Sequence, residues 1–129
     1  MASKCVAKMQ TLFLNYAKQA NFQRMAGNNP FETLHGGYTA TLIDIVTTTA
    51  LLNTEQGQGG VTVDLHVSYL SAAKVGDTVV VDAHVIKQGR TMAFTRANVY
   101  RKADNRLVAT ALHTKAVTSQ SHNSSKSQL

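Results

Sequence analysis

Apolar residues are spaced helically in the first part of this chain and alternate in the second, with the change falling at the loop Glu55-Gln56-Gly57-Gln58-Gly59-Gly60. From about Gly37 to Asn53, Ala40, Ile43, Val46, Ala50 and Leu51 recur at threes and fours, which predicts one helix with a single buried face. Its many Thr, Ile and Val residues make it a poor helix former alone, so burial must hold it. Beyond the loop, Val61, Val63, Leu65, Val67 and Tyr69 share one side of a segment whose other side carries Thr62, Asp64, His66 and Ser68, the pattern of a strand. Further strands are predicted over Thr78–Gln88, Thr91–Tyr100 and Leu107–Val117. Gly89-Arg90 and Lys102-Ala103-Asp104-Asn105 separate them and are short enough for antiparallel hairpins. The expected class is therefore α+β, a long helix lying on an antiparallel sheet.

The two ends of the chain read differently. Met9, Leu12, Phe13, Tyr16 and Ala20 fall at helical spacing among Lys4, Lys8, Lys18 and Arg24, with no acid before Glu32. This predicts a basic amphipathic helix in region 1–27, either an ordinary packing helix or a mitochondrial targeting segment. The stretch 118–129 is Ser-rich and polar and is expected to be a disordered tail. Its final Ser127-Gln128-Leu129 is only loosely similar to a peroxisomal signal, so a cytoplasmic or mitochondrial address is expected rather than a peroxisomal one.

At 129 residues the chain makes one domain, expected over 1–117. Thirteen Lys and Arg against seven Asp and Glu give a formal charge of +6, which favours a polyanionic ligand, whether nucleic acid, acidic lipid or a phosphorylated cofactor. Tryptophan is absent and aromatics are few, which argues against base stacking and nucleic acid. A lone cysteine, Cys5, rules out an internal disulfide. No apolar run approaches the roughly 20 residues that cross a bilayer.

Two glycines ahead of an apolar helix that bears one carboxylate give the chain its clearest chemistry. In Leu34-His35-Gly36-Gly37-Tyr38-Thr39-Ala40-Thr41-Leu42-Ile43-Asp44 the glycines admit close approach to the backbone, and a helix start offers free N–H groups to a polarised oxygen. Asp44 lies among Leu42, Ile43, Ile45 and Val46, where little water is expected. It is either a structural residue bonded to Thr47 or Thr48, or a base. His35 is a candidate base too, although a histidine before a helix more commonly serves the turn. Gly36 and Asp44 lie eight residues apart, about 12 Å of helical rise, too far to touch one reacting group. If both act, two copies of the chain must share a site.

Other features are bland. His66, His84 and His113 have no metal-like spacing, and no second cysteine or paired carboxylate completes a metal site. The Gly57–Gly60 loop lacks the Gly-Lys-Ser/Thr of a phosphate cradle, no nucleophile elbow is present, and Arg96, Arg101, Lys102 and Arg106 read as a solvated cluster.

Several blocks in order resemble the hotdog-fold, PaaI-like acyl-coenzyme A thioesterases. They are Thr33-Leu34-His35-Gly36-Gly37, Thr39-Ala40-Thr41-Leu42, Gly60-Val61-Thr62-Val63-Asp64, Ala83-His84-Val85, Lys87-Gln88-Gly89-Arg90-Thr91, Ala93-Phe94-Thr95 and His113-Thr114-Lys115, with Ala20-Asn21-Phe22-Gln23-Arg24 similar to the family's first helix. The resemblance implies hydrolysis of medium- or long-chain fatty acyl-coenzyme A in a homodimer or homotetramer, with neither metal nor cofactor, coenzyme A being part of the substrate. It implies that Asp44 is the general base, that the Gly36 N–H polarises the thioester carbonyl with help from the Asn29 amide, and that the Thr62 hydroxyl holds the water. Coenzyme A is expected along His35, Tyr69, Ser71, Lys74, Lys87, Gln88, Gly89, Arg90 and Thr91, with Lys74, Lys87 and Arg90 near its phosphates. The family's first strand is missing from the sequence pattern, which implies an open sheet edge. That gap leaves an alternative, a hotdog module that binds acyl-coenzyme A or a protein without turnover.

Overall fold

The computed structural model describes the backbone of Lys8–Asn15 and all of residues 33–117. Strand β1 (Lys8–Asn15) is followed by helix α1 (Gly36–Leu52) and strands β2 (Val61–Tyr69), β3 (Thr78–Gln88), β4 (Met92–Arg101) and β5 (Leu107–Ala116). One antiparallel sheet results, in the order β1-β3-β4-β5-β2, with α1 across one face. The α+β class is as the periodicity predicts, and the helix and four following strands lie within a residue or two of their expected bounds. Among the described residues no helix is long and apolar enough to cross a membrane.

Burial holds the helix, as its composition requires. Leu42, Ile43, Val46, Ala50 and Leu51 pack on Val79, Val81, Ala83, Ala93, Ala97, Val99, Ala109 and Ala111 of the sheet. Thr39 and Thr47 join this face, and their hydroxyls bond back to the carbonyls of His35 and Ile43, so neither hydroxyl is buried unpaired.

Two sequence expectations are corrected. The segment expected to be a basic amphipathic helix contains, at Lys8–Asn15, a strand that pairs with β3 from Lys8 opposite His84 to Asn15 opposite Thr78. The sheet edge expected to be open is therefore covered. The outer N–H and C=O groups of β3 need partners, and a short apolar run fits helical and extended periods alike, so pairing decides between them. The second correction concerns β2. A bulge between Thr62 and Asp64 breaks its alternation against β5, leaving Val61 and Val63 at 73% and 57% exposure while Thr62 reaches a buried residue of β5. The bulge depends on how two strands match in length, which alternation along one of them does not reveal. Of the other expectations for the ends, most of region 1–27, Cys5, Asn29 and the 118–129 tail lie outside the described residues.

Candidate active site

The amino-terminal turn of α1 is built from main chain. His35 adopts an extended conformation (φ −64°, ψ 134°) as N-cap, and its Nδ1 accepts the Gly37 N–H at 2.9 Å. Gly37 allows this, since a Cβ there would sit 3.1 Å from that nitrogen. At Gly36 a Cβ would meet the Tyr69 ring at 3.2 Å, and the Tyr69 hydroxyl donates to the Gly36 carbonyl at 2.6 Å. Gly36 opens the helix, so its N–H has no partner within it. The Leu34 N–H bonds to the Ala73 carbonyl at 2.9 Å and Thr33 bridges Lys74, which ties the helix entrance to the loop after β2.

Two turns along, the helix presents side chains. Asp44 is not the buried carboxylate expected: its side chain is 46% exposed, because the helix face it shares with Ile45 looks away from the sheet. Its Oδ1 accepts from the Thr48 hydroxyl at 3.3 Å, the structural bond anticipated for it, and lies 4.0 Å from Lys115 Nζ. Lys115 is buried on β5 and donates to Thr48 Oγ1 at 2.6 Å. Burial pushes the Lys115 ammonium below its ordinary range, and the Asp44 charge opposes that shift. Beside it, fully buried His113 bridges Thr47 Oγ1 at 2.7 Å through Nδ1 and Thr62 Oγ1 at 2.9 Å through Nε2. Burial holds this imidazole below the usual histidine range; Asp44 and Asp64 favour its proton and Lys115 opposes it.

The predicted residues fall into two groups within one chain. His35, Gly36, Tyr69, Ser71 and Lys74 gather where the helix begins; the Ser71 hydroxyl donates to the Leu107 carbonyl at 2.7 Å, and the Lys74 N–H donates to Asp77 at 2.8 Å. Asp44 and Thr62 lie toward the far end, where Lys87 and Gln88 pair with Phe94 and Ala93, and Gly89, Arg90 and Thr91 make the β3–β4 turn. Arg90 and Thr91 are exposed there, whereas the Gln88 amide nitrogen is buried with no partner. Thr62 and Tyr69 are seven residues apart on β2, about 23 Å along a strand. One chain thus does not bring the glycine turn to the carboxylate.

Sequence reasoning passed over His113 and Lys115. Both occupy the buried parity of β5, with Ala109, Ala111 and Val117. A histidine and a lysine in that parity were a readable signal, because polar groups at core positions need a specific partner. Arg101, placed in a solvated cluster, instead pairs with Asp104 at 2.7 Å and reaches the Ala72 carbonyl at 3.3 Å. Asp104 is held below the usual carboxylate range, chiefly by the Arg106 backbone N–H.

The chain is similar to several known proteins over two thirds of its length or more. Acyl-coenzyme A thioesterase 13 of Homo sapiens is 52% identical over 87 residues, which are 67% of this chain and 62% of that protein. The chain thus spans about three-fifths of the length of that relative. The crystal structure of thioesterase superfamily member 2 from Mus musculus matches with a TM-score of 0.70 at 38% identity, covering 83% of this chain and 74% of that one. A hypothetical thioesterase protein from Streptococcus pneumoniae, solved with coenzyme A, matches with a TM-score of 0.71 at 25% identity, covering 84% and 77%. The model of the Thioesterase superfamily matches residues 31–108, the span that contains both the glycine turn and Asp44, and the chain belongs to that superfamily, with its hotdog fold.

Proposed function

We propose that the chain hydrolyses medium- or long-chain fatty acyl-coenzyme A to free fatty acid and coenzyme A. The observation that carries this reading is the helix with a capped glycine turn at its start and a half-exposed carboxylate two turns on, in a chain of the Thioesterase superfamily. Asp44 takes a proton from water, whose oxygen attacks the thioester carbon while the Thr62 hydroxyl holds the water in line. The carbonyl oxygen gains negative charge and is held by the Gly36 N–H, with the Asn29 amide beside it. The C–S bond then breaks, the acyl group leaves as the acid, and the thiolate recovers the proton from Asp44. Coenzyme A lies along Tyr69 to Lys74 and Lys87 to Thr91, with Lys74, Lys87 and Arg90 at its phosphates.

The glycine and carboxylate of one reaction come from two copies. Strand β2 is an edge of the sheet and exposes Val61 and Val63, a surface suited to antiparallel pairing with a second β2. A two-fold axis between Leu65 and His66 would set Thr62 opposite the Tyr69 of the second copy, closing the 23 Å gap (about 3.3 Å per residue) between the two groups. Pairing of such dimers into tetramers belongs to the same reading. The alternative of a binding module without turnover rested on a missing first strand disturbing the pocket, and the sheet does hold a first strand, β1, paired with β3.

A thiol-release assay on short, medium and long acyl-coenzyme A, run beside a size measurement, tests the proposal. The wild-type chain is expected to release thiol from the longer substrates as a dimer or larger. Asp44→Asn should lower kcat by about 10²- to 10⁴-fold, the usual worth of a general base. Full turnover by Asp44→Asn overturns the reading.

A further inference from the structure

We infer that His113 is a positioning residue, whose Nε2 takes the Thr62 hydroxyl hydrogen and so turns the Thr62 oxygen lone pairs toward the attacking water. The inference rests on the hydrolytic reading above and adds the part that sets the direction of one hydrogen bond.

The direction follows from counting hydrogens. Thr47 Oγ1 has one, and it lies 2.7 Å from the Ile43 carbonyl and 3.2 Å from that of Asp44, neither of which can donate. With that hydrogen committed to the helix backbone, the 2.7 Å contact between Thr47 Oγ1 and His113 Nδ1 must be donated by Nδ1–H. A neutral imidazole carrying its proton on Nδ1 has a bare Nε2, and the only hydrogen available along the 2.9 Å contact to Thr62 is the hydroxyl's own. Full burial of the ring favours this neutral form, with Asp44 on the helix, Asp64 on β2 and Lys115 on β5 as the charged groups around it.

The chain Thr62 to His113 to Thr47 to the Ile43 carbonyl thus runs one way, from an exposed residue into the core. The Thr95 hydroxyl, donating to the His113 carbonyl at 2.9 Å, fixes the backbone that carries the ring. A threonine whose hydrogen points inward offers only acceptors outward, and a water held by them aims a hydrogen at Thr62 and keeps a lone pair free for attack. The β2 bulge makes this possible, since without it Thr62 would face away from His113.

The test uses the full chain, His113→Asn, Thr62→Val and the double variant, with kcat and KM from thiol release, and nitrogen NMR of histidine-labelled wild-type protein. His113→Asn is expected to lower kcat about tenfold, roughly one hydrogen bond's worth, with KM unchanged within about twofold. The double variant should be no slower than Thr62→Val, because the histidine acts only through that hydroxyl, and Thr62→Ser should restore the His113 dependence. A His113→Asn effect that is absent, or that multiplies with Thr62→Val, overturns the inference while leaving the hydrolytic reading standing. Should His113→Asn fail to fold, the wild-type spectrum decides: an Nδ1–H ring supports the inference and an Nε2–H ring overturns it. A wild-type chain that binds acyl-coenzyme A without releasing thiol overturns the hydrolytic reading and this inference with it.

Discussion

The first turn of α1 and the turn from Asp44 to Thr48 belong to one helix yet are built by opposite means. At Gly36 the working group is a backbone N–H, and the side chains around it, His35 and Tyr69, secure neighbouring backbone atoms. At Asp44 the working group is a side chain, steadied by Thr48 and by Lys115 of β5, while His113 of the same strand holds neighbouring Thr47; both β5 residues follow Asp44 by about 70 positions in sequence. The first device rests on main chain held by the adjacent His35 and by Tyr69 of β2. The second is only as good as the packing of β5 against α1.

Taking away the backbone donor tests that division with the largest effect after Asp44→Asn itself. Gly36 is the first helical position, where proline's missing N–H breaks no helical bond, and His35 already has the extended conformation that proline requires before it. Gly36→Pro should therefore leave the helix in place and lower kcat by about 10²- to 10³-fold, the usual loss for one oxyanion donor. Gly36→Ala keeps the N–H and meets the same Tyr69 ring, so it isolates the steric part. Equal losses in the two variants would show that crowding, not the donor, sets the rate.

The buried turn should respond to pH in its stability. Burial holds the folded His113 below the ordinary value of 6.5. As pH falls below 6.5 toward that lower value, the unfolded chain binds a proton that the folded chain refuses, so stability declines with falling pH across that interval. Urea midpoints measured above and below 6.5 should show the decline in the wild type and less of it in His113→Asn. An identical slope in both would place the sensitivity elsewhere, and the contrast between the two turns would lose its energetic basis.

The same contrast explains what was legible in the sequence. Helix α1 and strands β2 to β5 follow from periodicity, and the glycine turn follows from consecutive residues, because each is decided by near neighbours. His113 and Lys115 were passed over, since what makes them matter is the partners Thr47, Thr48 and Thr62 brought in by the fold. Asp44 was expected among apolar neighbours because Ile45 is hydrophobic, yet Ile45 is itself 52% exposed. An apolar residue does not imply a dry position when a surface awaits a partner. Strand β1 was misread for a related reason, since the edge of β3 that it pairs with lies far along the chain.

The cap at His35 gives the smallest effect and bears on the local side of the comparison. Its Nδ1 satisfies the Gly37 N–H, one of the donors that a helix start leaves bare, so His35→Ala should destabilise the fold by about 1 kcal/mol. Asparagine is a strong cap whose side-chain oxygen can accept the same N–H, so His35→Asn should recover most of that loss. If His35 only shapes the turn, kcat should follow stability, falling a few-fold or less in His35→Ala and returning in His35→Asn. A kcat that stays low in a His35→Asn protein of restored stability would give His35 a direct part in catalysis. The amino-terminal turn would then work through a side chain too, and its difference from the Asp44 turn would be one of burial alone.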